Sequence, residues 1–104
     1  MAVQVIIKRK VKQGHEAKVL VPLILQMRAN AIHQPGFISS DTWSDVDNPG
    51  ECMVISRWQT AEDWHRWVNS EKRSEIESKI EALTGQKSEY KVYAPMVVRY
   101  NSGE

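Results

Sequence analysis

Ser56-Arg57-Trp58-Gln59-Thr60-Ala61-Glu62-Asp63-Trp64-His65-Arg66-Trp67-Val68-Asn69-Ser70 changes its apolar period halfway along. Upstream, Cys52-Met53-Val54-Ile55-Ser56-Arg57-Trp58 has the composition of a strand, with Met53, Ile55 and Arg57 in line on one side. Downstream, Trp64, Trp67 and Val68 recur at helical spacing. Thr60 stands at the junction as a helix N-cap, and Asp63 approximates a capping box. A strand therefore feeds directly into an amphipathic helix, which Asn69-Ser70 interrupts. Ile76, Ile80 and Leu83 then resume the apolar face as far as Thr84-Gly85.

Working outward, Asp45-Val46-Asp47-Asn48-Pro49-Gly50 is dense in turn formers and links Phe37–Ser44 to the strand after it, as in an antiparallel hairpin. Strand alternation puts Phe37, Ser39, Asp41 and Trp43 on one face. Gln34-Pro35-Gly36 stops a helix running from His15 to about Ile32, within which Pro22 predicts a kink or a division into two segments. A first strand carries Val3, Val5, Ile7 and Val11 on one side and Gln4, Ile6, Lys8 and Lys10 on the other. A last strand over Tyr90–Tyr100 contains Pro95, which argues for an edge position or a bulge. Asn101-Ser102-Gly103-Glu104 reads as a frayed tail.

The order β-α-β-β-α-β is that of the ferredoxin-like, split βαβ motif: an α+β fold with helices on one face of a four-stranded antiparallel sheet. At 104 residues one domain is expected, over 1–104. Ile6, Tyr93, Pro95 and Val97 place apolar groups on the face the helices do not cover, and a second copy of the chain is the commonest cover for such a face. A homodimer is the expectation.

The formal charge is +1, from 14 basic and 13 acidic side chains, so no electrostatic footprint for nucleic acid is present. Lys8-Arg9-Lys10 with Lys12 reads as solvated charge on an exposed, edge-like strand. Cys52, the single cysteine, precludes an internal disulfide and reads as a small buried apolar group. No basic segment followed by an apolar run opens the chain, and the apolar stretch from Val19 to Leu25 is too short to span a bilayer. No membrane association and a cytoplasmic home are expected. Metal-ligand spacing, a glycine-rich phosphate loop and a Ser-His-Asp set are all missing, so flavin and nicotinamide find no support.

Gln34-Pro35-Gly36-Phe37-Ile38-Ser39 and the Ser56–Ser70 stretch, with the order of elements, resemble the antibiotic-biosynthesis-monooxygenase family of dimeric α+β barrels along nearly the whole chain. That resemblance implies a cofactor-free oxygenation of phenolic or quinone-like compounds by dioxygen. The family also contains haem-degrading enzymes, and Trp67 matches the pocket tryptophan of that branch. The branch's axial histidine is Glu77 in this chain, and its first-strand asparagine is replaced near Ile7. A carboxylate substitutes poorly for imidazole on haem iron.

Cofactor-free oxygenation needs a dry aromatic pocket, a group that positions a proton and a means of stabilising an anion. Trp67, Trp43, Trp64, Phe37 and Met53 are the expected substrate-binding residues, in a pocket between sheet and helices. Core packing is the simpler role for Trp58 and Trp64. His65 and Arg57 are the candidate catalytic residues, although helix geometry turns His65 by about 100° from Trp64, toward solvent. His33 suits a helix C-terminus, and Tyr90, Tyr93 or Tyr100 could donate to a substrate oxygen. The leading expectation is a cofactor-independent monooxygenase for a small aromatic or quinone-like substrate. A non-catalytic small-molecule-binding or stress-related accessory protein is the rival, and a haem protein the third reading.

Overall fold

Val3, Val5 and Ile7 alternate with Gln4, Ile6 and Lys8 along β1 (Val3–Lys10), and the alternation puts the first set on a buried face. The computed structural model describes residues 1–10 and 16–96. A π-helical turn (Glu16–Leu20) leads into α1 (Val21–Ala31), and the division falls beside Pro22, in the first turn of α1. β2 (Phe37–Ser44) and β3 (Glu51–Trp58) form the expected antiparallel hairpin. α2 (Ala61–Val68) and α3 (Glu71–Thr84) follow, and β4 (Glu89–Tyr93) completes the sheet.

The four antiparallel strands lie in the order β2-β3-β1-β4. β1 is thus central, not the edge strand its lysines suggest. Two β-strands border it, while Lys8 and Lys10 point away from the helices and Arg9 points under them. β4 is an edge strand and ends at Tyr93, before Pro95, which has no N–H to give a ladder. The expected continuation of that strand past Met96, including Val97 and Tyr100, and the frayed tail lie outside the described residues, as do Val11, Lys12 and His15.

Local signals set the starts of α2 and α3 and the end of α3. Thr60 Oγ accepts from the backbone N–H of Asp63 at 3.0 Å and donates to the Asp63 carboxylate at 2.8 Å. Ser70 caps α3 by accepting from the N–H of Arg73, and Gly85 closes α3 in the left-handed region. Gly36 (φ 84°) turns the chain into β2, and its carbonyl accepts from Gln59 N–H at 2.7 Å.

The main core joins Val3, Val5, Ile7, Val54 and Trp58 of the sheet to Ala31, Trp64 and Trp67 of the helices. A smaller cluster of Leu20, Ile76 and Ile80 holds the π-helical turn against α3. The helices thus cover one face. On the other, Ile6 and Ile55 face each other across β1 and β3, and Lys8, Met53 and Trp43 form the next row.

Phe37 and Trp43 do not share a face, contrary to the simple alternation. Phe37 pairs with Trp58, whereas Ser39 pairs with the adjacent Arg57, so Ile38 is one residue extra. This β-bulge reverses the phase of β2, turning Phe37, Ser40 and Thr42 toward the helices and Ser39, Asp41 and Trp43 away from them.

Candidate active site

Aromatic side chains on β2, β3, α2 and β4 make a continuous edge-to-face chain. Phe37 meets Trp58 at 5.4 Å between ring centroids, Trp58 meets Trp64 at 5.8 Å, and Trp64 meets Tyr90 at 5.4 Å. Trp58 and Trp64 are fully buried, and Trp58 Nε1 donates to Ser56 Oγ at 3.1 Å. Trp67 lies one turn further along α2, also buried.

Between this chain and α1 is a cavity of about 40 Å³. Ile24, Met27 and Ala31 of α1 form one wall and Phe37, Trp58, Trp64 and Trp67 the other. That volume holds on the order of three water molecules, which is less than an aromatic substrate needs. The tryptophans therefore largely fill the space between sheet and helices in this conformation.

At one end of the cavity the lining becomes charged. Arg9 Nη2 donates to Glu77 Oε1 at 2.8 Å, and Arg73 Nη2 lies 3.3 Å from the same oxygen. Ser88 Oγ donates to Glu77 Oε2 at 2.8 Å. Arg9, Arg73 and Glu77 are all buried, and the Arg73 guanidinium sits over the Trp64 ring, 5.2 Å from its centroid. Burial is the main influence on Arg73 and lowers its pKa, against the raising effect of Glu77. Two buried donors, Arg9 Nε and Trp64 Nε1, have no hydrogen-bond partner among the described residues.

The expected site residues divide between the two sheet faces. Trp67, Trp64 and Phe37 come together at the cavity. Trp43 and Met53 do not, because the bulge in β2 and the register of β3 turn them to the opposite face. There they border an open cleft of about 300 Å³ with Lys8, Lys10 and Cys52. Arg57 is exposed on that face as well, beside Gln4 and Tyr93. His65 is exposed on α2 and does not line the cavity. Neither candidate catalytic residue thus reaches the aromatic cavity.

Arg9, Arg73 and the carboxylate of Glu77 were not among the expected site residues. Reading Lys8-Arg9-Lys10 as one solvated stretch hid Arg9, although Arg9 is in phase with Val3, Val5 and Ile7. Arg73 and Glu77 are spaced four residues apart on α3, as an intrahelical ion pair would be. Nothing local marks that pair as buried.

Glu77, which the resemblance sets where the haem-degrading branch would hold iron, has a carboxylate already engaged by two guanidiniums and a hydroxyl. The residues present do not fit a haem. No three His, Cys, Asp or Glu side chains converge as a metal site among the described residues, and no described helix is long and apolar enough to cross a membrane.

A sequence model described as antibiotic biosynthesis monooxygenase matches residues 2–78. Protein SchA of Streptomyces halstedii is 28% identical over 79 residues, which are 76% of this chain, and the chain spans only 20% of that relative's length. SnoaB, a cofactor-independent oxygenase from Streptomyces nogalater, superposes with a TM-score of 0.81 at 17% identity, covering 96% of this chain and 98% of SnoaB. Rv0793 from Mycobacterium tuberculosis gives 0.80 at 18% identity, over 94% and 98% of the two chains. At these identities the structures speak for the fold, a ferredoxin-like α+β sheet. The match to the family model extends over most of the chain, from the first strand into the third helix: this protein belongs to the antibiotic biosynthesis monooxygenase family.

Proposed function

We propose that this protein is a cofactor-independent monooxygenase that oxidises a small aromatic or quinone-like compound with dioxygen. The observation that carries the reading is the buried aromatic chain bordering a cavity, in a chain of this family. Trp67, Trp64 and Phe37 would pack against the substrate ring, as the indole and phenyl surfaces of a dry pocket do.

The chemistry needs no external reductant. A substrate with an acidic C–H or O–H loses a proton, and the resulting anion passes one electron to dioxygen. The substrate radical and superoxide combine into a peroxide, and loss of water leaves a new carbonyl. One methylene and one dioxygen thus become one carbonyl and one water. The protein's share is to exclude bulk water, hold the ring and stabilise the anion.

Admission of a ring requires α1 to give way, because Ile24, Met27 and Ala31 close the cavity on that side. α1 packs chiefly on α3 and on the π-helical turn, and it exposes Val21 and Leu25 to solvent. The open sheet face, with Ile6, Met53, Ile55, Trp43 and Tyr93, is the proposed contact in a homodimer with two-fold symmetry.

A second reading, a non-catalytic binder of small apolar molecules, draws on the cavity's size and on His65 lying outside it. An oxygen electrode separates the two. With a panel of hydroquinones and anthrones, the enzyme reading expects dioxygen uptake that a metal chelator leaves unchanged. Quenching of tryptophan fluorescence without uptake by any compound would establish the binder instead.

A further inference from the structure

In the Arg9–Glu77–Arg73 cluster two guanidiniums share one carboxylate directly, so the second buried positive charge is offset only in part, by the more distant Glu81 carboxylate. Such a charge is expensive to hold unless something pairs with it. Arg28 of α1 also lines the cavity, but it is exposed to solvent and stands apart from the buried cluster. Glu81 and Tyr90 are the other titratable groups close enough to influence Arg73.

The same cluster borders the cavity through Arg9 and Arg73, alongside Trp64. Arg9 Nε and Trp64 Nε1, both on residues more than nine-tenths buried, are donors without a partner among the described residues. An unsatisfied buried donor is costly, and an acceptor placed in the cavity would recover that cost. Positive charge, spare N–H donors and little space describe a receptor for one anionic oxygen at the end of a flat ring.

We propose that Arg9, Arg73 and Trp64 bind the ionised oxygen of an acidic phenol or enol, so that the protein takes its substrate as a monoanion. Glu77 sets the strength of this receptor by cancelling one of the two guanidinium charges. The proposal rests on the aromatic-substrate reading above and adds the charge state of the ligand and the side chains that fix it.

The test uses 4-nitrophenol, whose phenol and phenolate absorb at different wavelengths, with the full chain and without dioxygen. The bound probe should ionise at a pH about one unit below the free probe, a roughly tenfold preference for the phenolate. Arg73→Met leaves the Arg9–Glu77 pair in place and should abolish that preference. Glu77→Gln removes the cancelling carboxylate and should tighten phenolate binding several-fold. A purely structural cluster would not move the two variants in opposite directions. Should Glu77→Gln fail to fold, Arg73→Met decides the question.

Failure of the wild-type protein to bind the phenolate saturably would overturn the proposal, as would an unshifted ionisation of the bound probe. Preference retained in Arg73→Met would overturn it equally. Because no dioxygen is present, the result is independent of catalysis. A shifted probe with no turnover of any substrate would retain the anion receptor and refute the oxygenase reading.

Discussion

Arg9 and Glu77 stand 68 residues apart in sequence and meet at 2.8 Å beneath the helices, joining the middle strand to α3. Arg73 shares the same carboxylate oxygen at 3.3 Å. Removing the carboxylate would leave two buried guanidiniums facing each other. Glu77→Ala is therefore expected to destabilise the fold by about 3–5 kcal/mol, whereas Ser88→Ala, which removes one neutral donor to Glu77, should cost about 1 kcal/mol. Urea unfolding checks both, and equal effects would mean that the charge is not compensated where the cluster lies.

His65 is on the exposed side of α2, one residue along from buried Trp64. His65→Ala should leave dioxygen uptake within about twofold of wild type and stability within about 0.5 kcal/mol. A loss of turnover at unchanged stability would return His65 to the catalytic machinery.

Gly36 carries φ 84°, and a Cβ there would collide with the Asp63 carboxylate, which belongs to the α2 cap. Both the backbone and the cap oppose a larger residue. Gly36→Ala is expected to cost about 2 kcal/mol or more, from left-handed strain of about 1–2 kcal/mol together with displacement of Asp63. The readout is thermal unfolding, and a shift no larger than that of an exposed-loop substitution would contradict the packing described.

Cys52 is half-buried, and burial pushes its thiol pKa up, against a smaller lowering effect of Arg9. The folded state therefore holds the proton to higher pH than the unfolded chain does. Its contribution to stability is complete below the unfolded thiol's value of about 8.5 and is lost as pH rises toward the folded value. Stability should fall across that alkaline window in the wild type and fall less in Cys52→Ser. Alkylation of the native protein at pH about 8 should also be slower than that of the unfolded chain.

The order of elements, the hairpin, the Thr60 cap of α2 and the Gly85 end of α3 are legible because each depends on neighbouring residues. Thr60 before Asp63 and Pro35-Gly36 before Phe37 are examples. Ser70, by contrast, reads as an interruption and is in fact the cap of α3. The site was legible in part. Trp64, Trp67 and Phe37 do converge, but a single extra residue at Ile38 separated Trp43 from them, and a bulge leaves no mark in apolar alternation. Arg9 was hidden by its lysine neighbours. Its burial depends on Glu77 arriving from a distant helix, and only tertiary packing brings the two together.

Isotopically labelled dioxygen tests the oxygenase account most directly, with purified protein, a chelator and a substrate found to support uptake. The account predicts one heavy oxygen atom in each product molecule, at the new carbonyl, with the other in water. A product free of the label, or labelled only from heavy water, would contradict it.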